Sequence, residues 1–237
     1  MNRNSSPSKW RHDAPDVILL CVRRHCRYRL SYRDVEEMVR ERGLDVDRSA
    51  VFRWARRYAP GINKRIRPHL KVSGTSHRVD ETHIKVVKTC KYLYRAVDEE
   101  GSTTELMLSA KRDVYAAKRF FKKTMGAEHG RPLFSISVDK SAAQPEAFSG
   151  AQEERIMPKD CNLRRVKYLN NAIEQDHRFV KKKVRASQCF ETFHTAERTL
   201  EGIEAMNMVG KGQVKRLAGG DAQGQVKFVE SLFGIAA

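Results

Sequence analysis

The segment at residues 77–86 reads HRVDETHIKV, and it marks the point where the hydrophobic period of the chain changes. Apolar and polar side chains alternate along it, with Val79, Ile84 and Val86 at apolar positions, as in a β-strand. The next candidate strands are CKYLYRAVD at 90–98, which is rich in aromatic and β-branched residues, and TTELMLS at 103–109. Because short connections join the three strands, the sequence predicts a three-stranded meander.

Strands and helices follow one another downstream of the meander. The run LFSISVD at 133–139 is continuously apolar and ends in an acid, which is typical of a buried central strand. A shorter strand is predicted at CNLRRVKY, residues 161–168. Helices are predicted at 112–125, around 143–154, at 171–185 and at 190–209. This part of the chain is therefore predicted to be a mixed α/β layer.

Upstream of the meander the pattern is helical. Ser31 and Asp34 resemble a capping box at the start of a second helix, and Gly43 is a suitable stop. Asp47 can cap a third helix, which Pro60 is predicted to end. Three short helices with a turn before the last predict a helix-turn-helix, although a plain three-helix bundle with a basic face has the same pattern. In the first case the third helix reads DNA, through the arginines Arg48, Arg53, Arg56 and Arg57.

These patterns divide the chain into five segments. In chain order, they are a disordered leader at 1–13, a helix-turn-helix domain at 14–60, a linker at 61–76, a catalytic domain at 77–210 and a C-terminal tail at 211–237.

The charge of the chain favours a polyanionic partner. The net charge is +17, and it is unevenly spread, since residues 1–71 hold 18 Lys and Arg against 8 Asp and Glu. Such a field attracts nucleic acid, whereas a protein that is basic only for solubility needs no such clustering. The five cysteines include no CxxC pair, which argues against a zinc ribbon or a disulfide framework and fits a cytoplasmic protein. The longest apolar run is too short to span a membrane, so no membrane partner is expected.

Three carboxylates stand at informative places. Asp80 lies inside the first strand, Asp139 ends the apolar strand, and Glu174 lies on the helix after the last strand. This is the layout of an RNase H-like nuclease. Each acid also has an ordinary interpretation: Asp80 as a solvent-facing strand residue, Asp139 as a cap of the following turn, and Glu174 as an i, i+4 partner of Arg178.

Close carboxylates need a cation. Two carboxylates about 4 Å apart repel by roughly 4 kcal/mol at an effective dielectric constant near 20. A pair of Mg²⁺ ions about 3.5–4 Å apart removes this repulsion, and oxygen ligands are those that Mg²⁺ prefers. The sequence therefore predicts Mg²⁺ as the cofactor, with two ions, and Mn²⁺ as a metal able to substitute.

The chain resembles the transposases of the insertion-sequence-six family of bacterial mobile elements, which belong to the Asp-Asp-Glu superfamily. The matching segments are SYRDVEEMVRERGLDVDRSAVFRWARRYAP at 31–60, VDETHIKV at 79–86, YLYRAVDEEG at 92–101, SAKRDVYAAKRFFKK at 109–123, SVDKSA at 137–142, YLNNAIEQDHRFVKK at 168–182 and GQVKFVESLFG at 224–234. Thirty-four residues separate Asp139 from Glu174, as in the family.

The resemblance implies roles for individual residues. Asp80, Asp139 and Glu174 correspond to catalytic metal ligands, and Lys181 matches a family lysine that contacts DNA near the reacting phosphate. By helical period, Arg178, Lys181 and Arg185 share a face with Glu174 and are predicted to bind DNA. His177 borders that face and is interpreted as a hydrogen-bonded neighbour of the ligands rather than as a ligand.

The resemblance also implies an activity. The expected protein binds the terminal inverted repeats of an element, nicks the DNA to free a 3′-OH and joins that hydroxyl to target DNA, with a replicative outcome that fuses donor and target into a cointegrate. Double-stranded DNA is the expected partner, a homodimer or larger assembly is expected on it, and no small-molecule substrate is expected. Two alternatives remain: a DNA-binding repressor with an inactive catalytic domain, and an RNase H-like nuclease without strand transfer.

Three positions depart from the family pattern. His83 stands where an aromatic residue is frequent, Ser141 where a histidine is frequent, and the turn before Cys90 lacks its usual glycine. None of these departures removes a carboxylate.

Overall fold

The computed structural model describes residues 14–87, 89–126, 133–139, 143–166, 171–186 and 190–235. The predicted leader at 1–13 and Ser141 lie outside these residues. The chain forms two compact units. The helical unit joins residues up to 69 with those from 198 onward, and the sheet unit holds residues 70–185 and 190–197. Within the described residues, no helix has the length and apolar character needed to cross a membrane.

The sheet unit is built on five strands in the order β3-β2-β1-β4-β5. The strands are β1 (Ser76–Val86), β2 (Thr89–Asp98), β3 (Thr103–Ser109), β4 (Ser135–Val138) and β5 (Asn162–Arg165). The first three form the predicted antiparallel meander, and β4 and β5 add in parallel beside β1. The alternating segment HRVDETHIKV thus becomes the central strand, with a partner on each side.

One face of the sheet carries the apolar core of this unit. Helices α4 (Val114–Met125) and α5 (Ala143–Glu153) contribute Phe120, Phe121 and Phe148 to this core, where Ile136 and Val138 of β4 lie. The helix α6 (Asn171–Ala186) follows β5. The mixed α/β class, with an RNase H-like sheet flanked by helices, is confirmed.

The helical unit begins with three helices whose caps agree with the sequence. They are α1 (Pro15–Arg27), α2 (Tyr32–Arg40) and α3 (Arg48–Ile66). Ser31 and Asp34 form the predicted capping box, and the Asp47 side chain accepts hydrogen bonds from the backbone of Ser49 and Ala50. The predicted N-terminal helices are therefore present.

Helix α3 does not end at Pro60, so the prediction of a linker beginning at residue 61 is wrong. The helix continues to Ile66, and a short 3-10 helix follows at Arg67–His69. A proline inside a helix costs about 3 kcal/mol because it removes a backbone hydrogen bond and crowds the preceding turn. Ile62 and Ile66 are fully buried beyond it. Burial of each isoleucine is worth about 1.5–3 kcal/mol, which offsets that cost.

The segment predicted as a C-terminal tail belongs to the helical unit. Helix α7 (Phe193–Gly210) contributes its residues from 198 onward, and helix α8 (Ala222–Ser231) follows. Arg65 Nε of α3 donates a hydrogen bond to the Leu232 carbonyl at 2.9 Å, and its guanidinium lies 4.6 Å from the centre of the Phe233 ring. The C-terminal residues thus cover the end of α3, a long-range contact that local sequence patterns do not reveal.

Candidate active site

The register between β1 and β4 brings Asp80 and Asp139 together. The parallel ladder pairs Val79 with Val138, so the two acids are the next residue of each chain beyond that pair. Val79 and Val138 both point into the apolar core. Because side chains alternate across a strand, Asp80 and Asp139 leave toward the opposite face.

Helix α6 contacts that opposite face through two consecutive residues. His177 Nδ1 lies 3.6 Å from Asp80 Oδ2. Asp176 Oδ2 lies 3.3 Å from Nη2 of Arg95, which stands directly across from Asp80 in the ladder between β1 and β2. Neighbouring residues of the helix therefore reach neighbouring strands of the sheet.

The pair of Arg95 and Asp176 anchors the helix. Arg95 is fully buried, and its Nη2 also donates a hydrogen bond to Thr103 Oγ1 of β3 at 3.2 Å. Such pairs are sensitive to the loss of one partner, because the other charge is then left buried. Sequence reasoning missed this pair. Its signal was a charged residue, Arg95, inside an otherwise apolar strand, but its partner is 81 positions away.

Glu174 lies near the two aspartates but turns toward solvent. It sits in the first turn of α6, its side chain is 59% exposed, and its Oε2 lies 4.0 Å from Arg178 Nη2. The ordinary i, i+4 pairing considered from the sequence is therefore present. The structure brings Asp80 and Asp139 side by side, whereas Glu174 approaches without closing on them.

The pKa of Asp80 reflects the proximity of the other acids. Burial, followed by the negative charges of Glu81, Asp139 and Glu174, raises the pKa of the Asp80 carboxyl to about 6, against the opposing hydrogen bond from the Glu81 backbone. Glu81 itself is held elsewhere, by Arg112 and Gln144. Both other predicted acids are therefore within electrostatic range of Asp80.

His177 is a neutral neighbour of Asp80 at physiological pH. Burial lowers the pKa of its imidazole to about 3, with the positive charges of Arg95 and Lys181 acting in the same direction. The contact between His177 and Asp80 is therefore not an ion pair at pH 7.

The donor set fits a hard divalent cation in chemistry and charge. Three carboxylates supply oxygen ligands, and the raised pKa of Asp80 means that a nearby positive charge would favour its ionised form. In the described part of the chain, no three His, Cys, Asp or Glu side chains are arranged around one metal position. Glu174 would have to leave Arg178 to complete such a group.

The predicted basic residues lie on accessible surfaces. Arg178 and Arg185 of α6 are exposed and Lys181 is half-buried, close enough to His177 to lower its pKa. Arg48, Arg53, Arg56 and Arg57 are all exposed on α3.

Two departures from the family pattern have a structural counterpart. His83 is exposed, and its ring lies 5.0 Å from that of Tyr92. The turn that lacks a glycine places Val87 at a φ of 56°, which is costly for a β-branched residue and explains why glycine suits this position.

Comparisons with known proteins agree with this architecture. Residues 74–213 match a family model described as a DDE domain. The transposase for insertion sequence-like element IS431mec of Staphylococcus aureus (strain Mu50 / ATCC 700699) is 38% identical over 191 residues, covering 81% of this chain and 83% of that protein. The Staphylococcus aureus transposase for insertion sequence element IS257 in transposon Tn4003 has the same identity and coverage.

Solved structures give weaker likenesses. The simian T-cell lymphotropic virus intasome, in complex with PP2A regulatory subunit B56 gamma, matches with a TM-score of 0.44 and 13% identity, over 59% of this chain and 49% of that chain. The HTLV-2 integrase catalytic core domain, in complex with magnesium (dimeric form), matches with a TM-score of 0.42 and 12% identity, over 56% of this chain and 85% of that chain.

Disrupting the buried pair should show strong coupling. We expect Arg95→Met alone to lower the free energy of unfolding by about 3–5 kcal/mol, because Asp176 is left buried without its cation. The double variant Arg95→Met/Asp176→Leu should recover at least half of that loss, since no unpaired charge remains. Urea unfolding of wild type, Arg95→Met, Asp176→Leu and the double variant gives the coupling energy. Additive losses would contradict an anchoring role for the pair.

Removing the Asp80 charge should stabilise the metal-free protein as pH rises. Between about pH 4 and 6 the native protein retains a proton on Asp80 that the unfolded chain releases, so Asp80 lowers the free energy of unfolding across this window. A shift from 3.8 to about 6 corresponds to about 3 kcal/mol. In EDTA, Asp80→Asn should therefore gain up to about 3 kcal/mol over wild type from pH 4 to 7.

The difference between the two proteins removes every titration except those of Asp80 and of His177, which contacts it. Asp160→Asn, which changes an exposed acid of the same unit, is the matched control and should leave the pH profile unchanged. A stability difference between Asp80→Asn and wild type that does not change with pH would contradict this account.

Proposed function

Because this chain belongs to the insertion-sequence-six family of DDE transposases, we propose that it cuts and joins DNA through Asp80, Asp139 and Glu174 after binding the terminal inverted repeats of its element. Transposition of DNA is the activity of the family. The finer steps, the residues and the partners are inferred from the resemblance to the family together with the residues of the chain. The observation that carries the proposal is the β1–β4 register, which sets Asp80 and Asp139 side by side on the face that α6 contacts.

Both proposed reactions exchange one phosphodiester bond for another. In the nicking step, a water oxygen forms a bond to phosphorus, the bond to the 3′ oxygen breaks, and that oxygen gains a proton to become a free 3′-OH. In the joining step, this 3′ oxygen bonds to a phosphorus of the target, whose own 3′ oxygen leaves. The balance needs no high-energy cofactor, so positioning and charge stabilisation must supply the rate.

Mg²⁺, when bound by the three carboxylates, would supply charge stabilisation at the attacking and leaving oxygens. The protein's own part is to hold these carboxylates in range of one another. Asp80 and Asp139 are fixed by the sheet, whereas Glu174 is held on a helix that the Arg95–Asp176 pair anchors. His177 stays neutral against Asp80 and so adds no positive charge that would compete with a cation.

The basic surfaces of α3 and α6 are proposed to bind different parts of the DNA. The exposed arginines of α3 suit sequence reading, since the planar guanidinium pairs with guanine edges and phosphates. On α6, Arg178, Lys181 and Arg185 follow Glu174 in turn and suit the phosphates of the bound strand from the reacting bond onward. Two element ends must be processed together, which favours a homodimer or larger assembly on DNA.

A repressor with an inactive catalytic domain is the second candidate. Such a protein has no need to retain its acids, yet all three predicted carboxylates are present and Asp80 responds to the charge of the other two. This observation favours the enzyme.

The Asp139→Asn variant tests the division of labour. We expect it to abolish Mg²⁺-dependent nicking and joining of a duplex that carries the element end, with a loss of at least about 10³-fold, equivalent to about 4 kcal/mol. Affinity for the same duplex should stay within about twofold, because the binding arginines are untouched. Gel assays of cleavage, joining and binding measure all three.

Asp160→Asn again serves as the matched control, since it removes an exposed acid from the same unit. It should leave cleavage and joining at the wild-type level. An Asp139→Asn protein that still joins DNA, or a wild type that binds the element end and never cuts it, would overturn the proposal; the second result would favour the repressor.

A further inference from the structure

A cavity of about 380 Å³ lies in the sheet unit beyond the three carboxylates. Seven residues line it: His83, Ile84 and Lys85 of β1, Cys90 of β2, and Lys181, Val184 and Arg185 of α6. Its volume is within the range of cavities that bind small molecules. Nothing in the proposed chemistry of the acids requires it.

The cavity shares strand β1 and helix α6 with the candidate active site. Along β1, His83 is three residues beyond Asp80, or about 10 Å at about 3.3 Å per residue. Along α6, Lys181 is seven residues beyond Glu174, which is also about 10 Å at 1.5 Å per residue. In stacked DNA each nucleotide of a strand advances about 3.4 Å, and an unpaired, extended strand advances further per nucleotide. The cavity therefore lies within about three nucleotides of a phosphate held at the acids.

The cavity opens at an edge of β1. The pairing of β1 with β4 stops at Val79, and the next contact on that side is the bridge from Val86 to Phe190. Between these points, no strand in the described ranges pairs with β1 on that side. The gap leaves room for a ligand between the strand and α6.

The chemistry of the lining suits an anion with an apolar part. The lining surface is mostly apolar, its basic residues are Lys85, Lys181 and Arg185, and none of the seven lining residues is an acid. Ile84 and Val184 are almost fully buried and give the cavity an apolar wall. A phosphate alone would not contact that apolar wall. The bases of an intact duplex are stacked inside the duplex, so they could not contact the wall either. An unpaired nucleotide offers both a phosphate and a flat base.

We propose that this cavity binds an unpaired nucleotide of the DNA strand, within about three nucleotides of the reacting phosphate, with its base against Ile84 and Val184 and its phosphates at Lys85, Lys181 and Arg185. This inference rests on the proposed function. It adds a second binding point for the DNA strand whose phosphate is held at the acids.

Cys90 provides a direct probe, because it is an exposed thiol on the cavity lining. With the full-length protein in low salt, alkylation of Cys90 by a neutral maleimide is followed by mass spectrometry of its peptide. A saturating twelve-nucleotide oligothymidylate should slow this alkylation at least tenfold. A twelve-base-pair duplex, or a strand of the same length with abasic sites, should slow it less than threefold at equal occupancy.

Variants test the cationic lining. Lys85→Ala and Arg185→Ala should each weaken binding of the single strand about fivefold, and each should reduce the slope of log affinity against log salt by about 0.7, the value for one lost phosphate contact. Lys122→Ala removes an exposed cation from α4 and is the matched control, with no change expected.

The outcomes separate this inference from the proposed function. If the protein joins DNA while Cys90 reacts at the same rate with and without bound oligothymidylate, the cavity assignment fails and the transposase proposal stands. If the strand protects Cys90 but no cleavage or joining occurs, the catalytic proposal fails instead. Equal protection by poly-glutamate would indicate an acidic peptide as the occupant and would overturn the nucleotide assignment, as would an equal loss of affinity in Lys122→Ala.

Discussion

The buried ion pair between Arg95 and Asp176 is the contact on which the candidate active site depends. It joins helix α6 to strand β2, at the position directly across from Asp80 in the sheet. The next residue of the helix, His177, then lies against Asp80, and Glu174 lies near enough to raise its pKa. Glu174 depends on this anchor for its position, because its side chain is 59% exposed and its ion pair in the described residues is a 4.0 Å contact with Arg178 of the same helix.

The same arrangement explains why the site needs a partner charge. The sheet register forces Asp80 and Asp139 together, and burial makes the ionised form of Asp80 costly. Glu174 is the exposed one of the three, and it would have to turn away from Arg178 to join the aspartates. A cation bound beside Asp80 would stabilise its ionised form and so reduce this unfavourable free energy. Beyond the acids, Lys181 and Arg185 continue the basic face of α6.

Much of this could be read from the sequence, and the failures have a common physical cause. The alternating segment at 77–86 and the apolar run at 133–139 specified their strands because periodicity is local. Asp80 and Asp139 could be proposed as candidate acids because they interrupt or end such elements, and Glu174 because it lies on the helix after the last strand. The course of α3 through Pro60 and the packing of Phe233 on Arg65 depend on burial against distant residues. The Arg95–Asp176 pair was missed for the same reason, since helix and strand meet only in the folded sheet.

The most direct test is the position of bound metal. The wild-type protein would be crystallised with an element-end duplex and Mn²⁺. Anomalous scattering would then locate the ions. The account predicts Mn²⁺ density between the carboxylates of Asp80, Asp139 and Glu174, with Glu174 turned away from Arg178 and the Arg95–Asp176 contact retained. Mn²⁺ bound elsewhere, or Glu174 still paired with Arg178 while the metal site is filled, would contradict it.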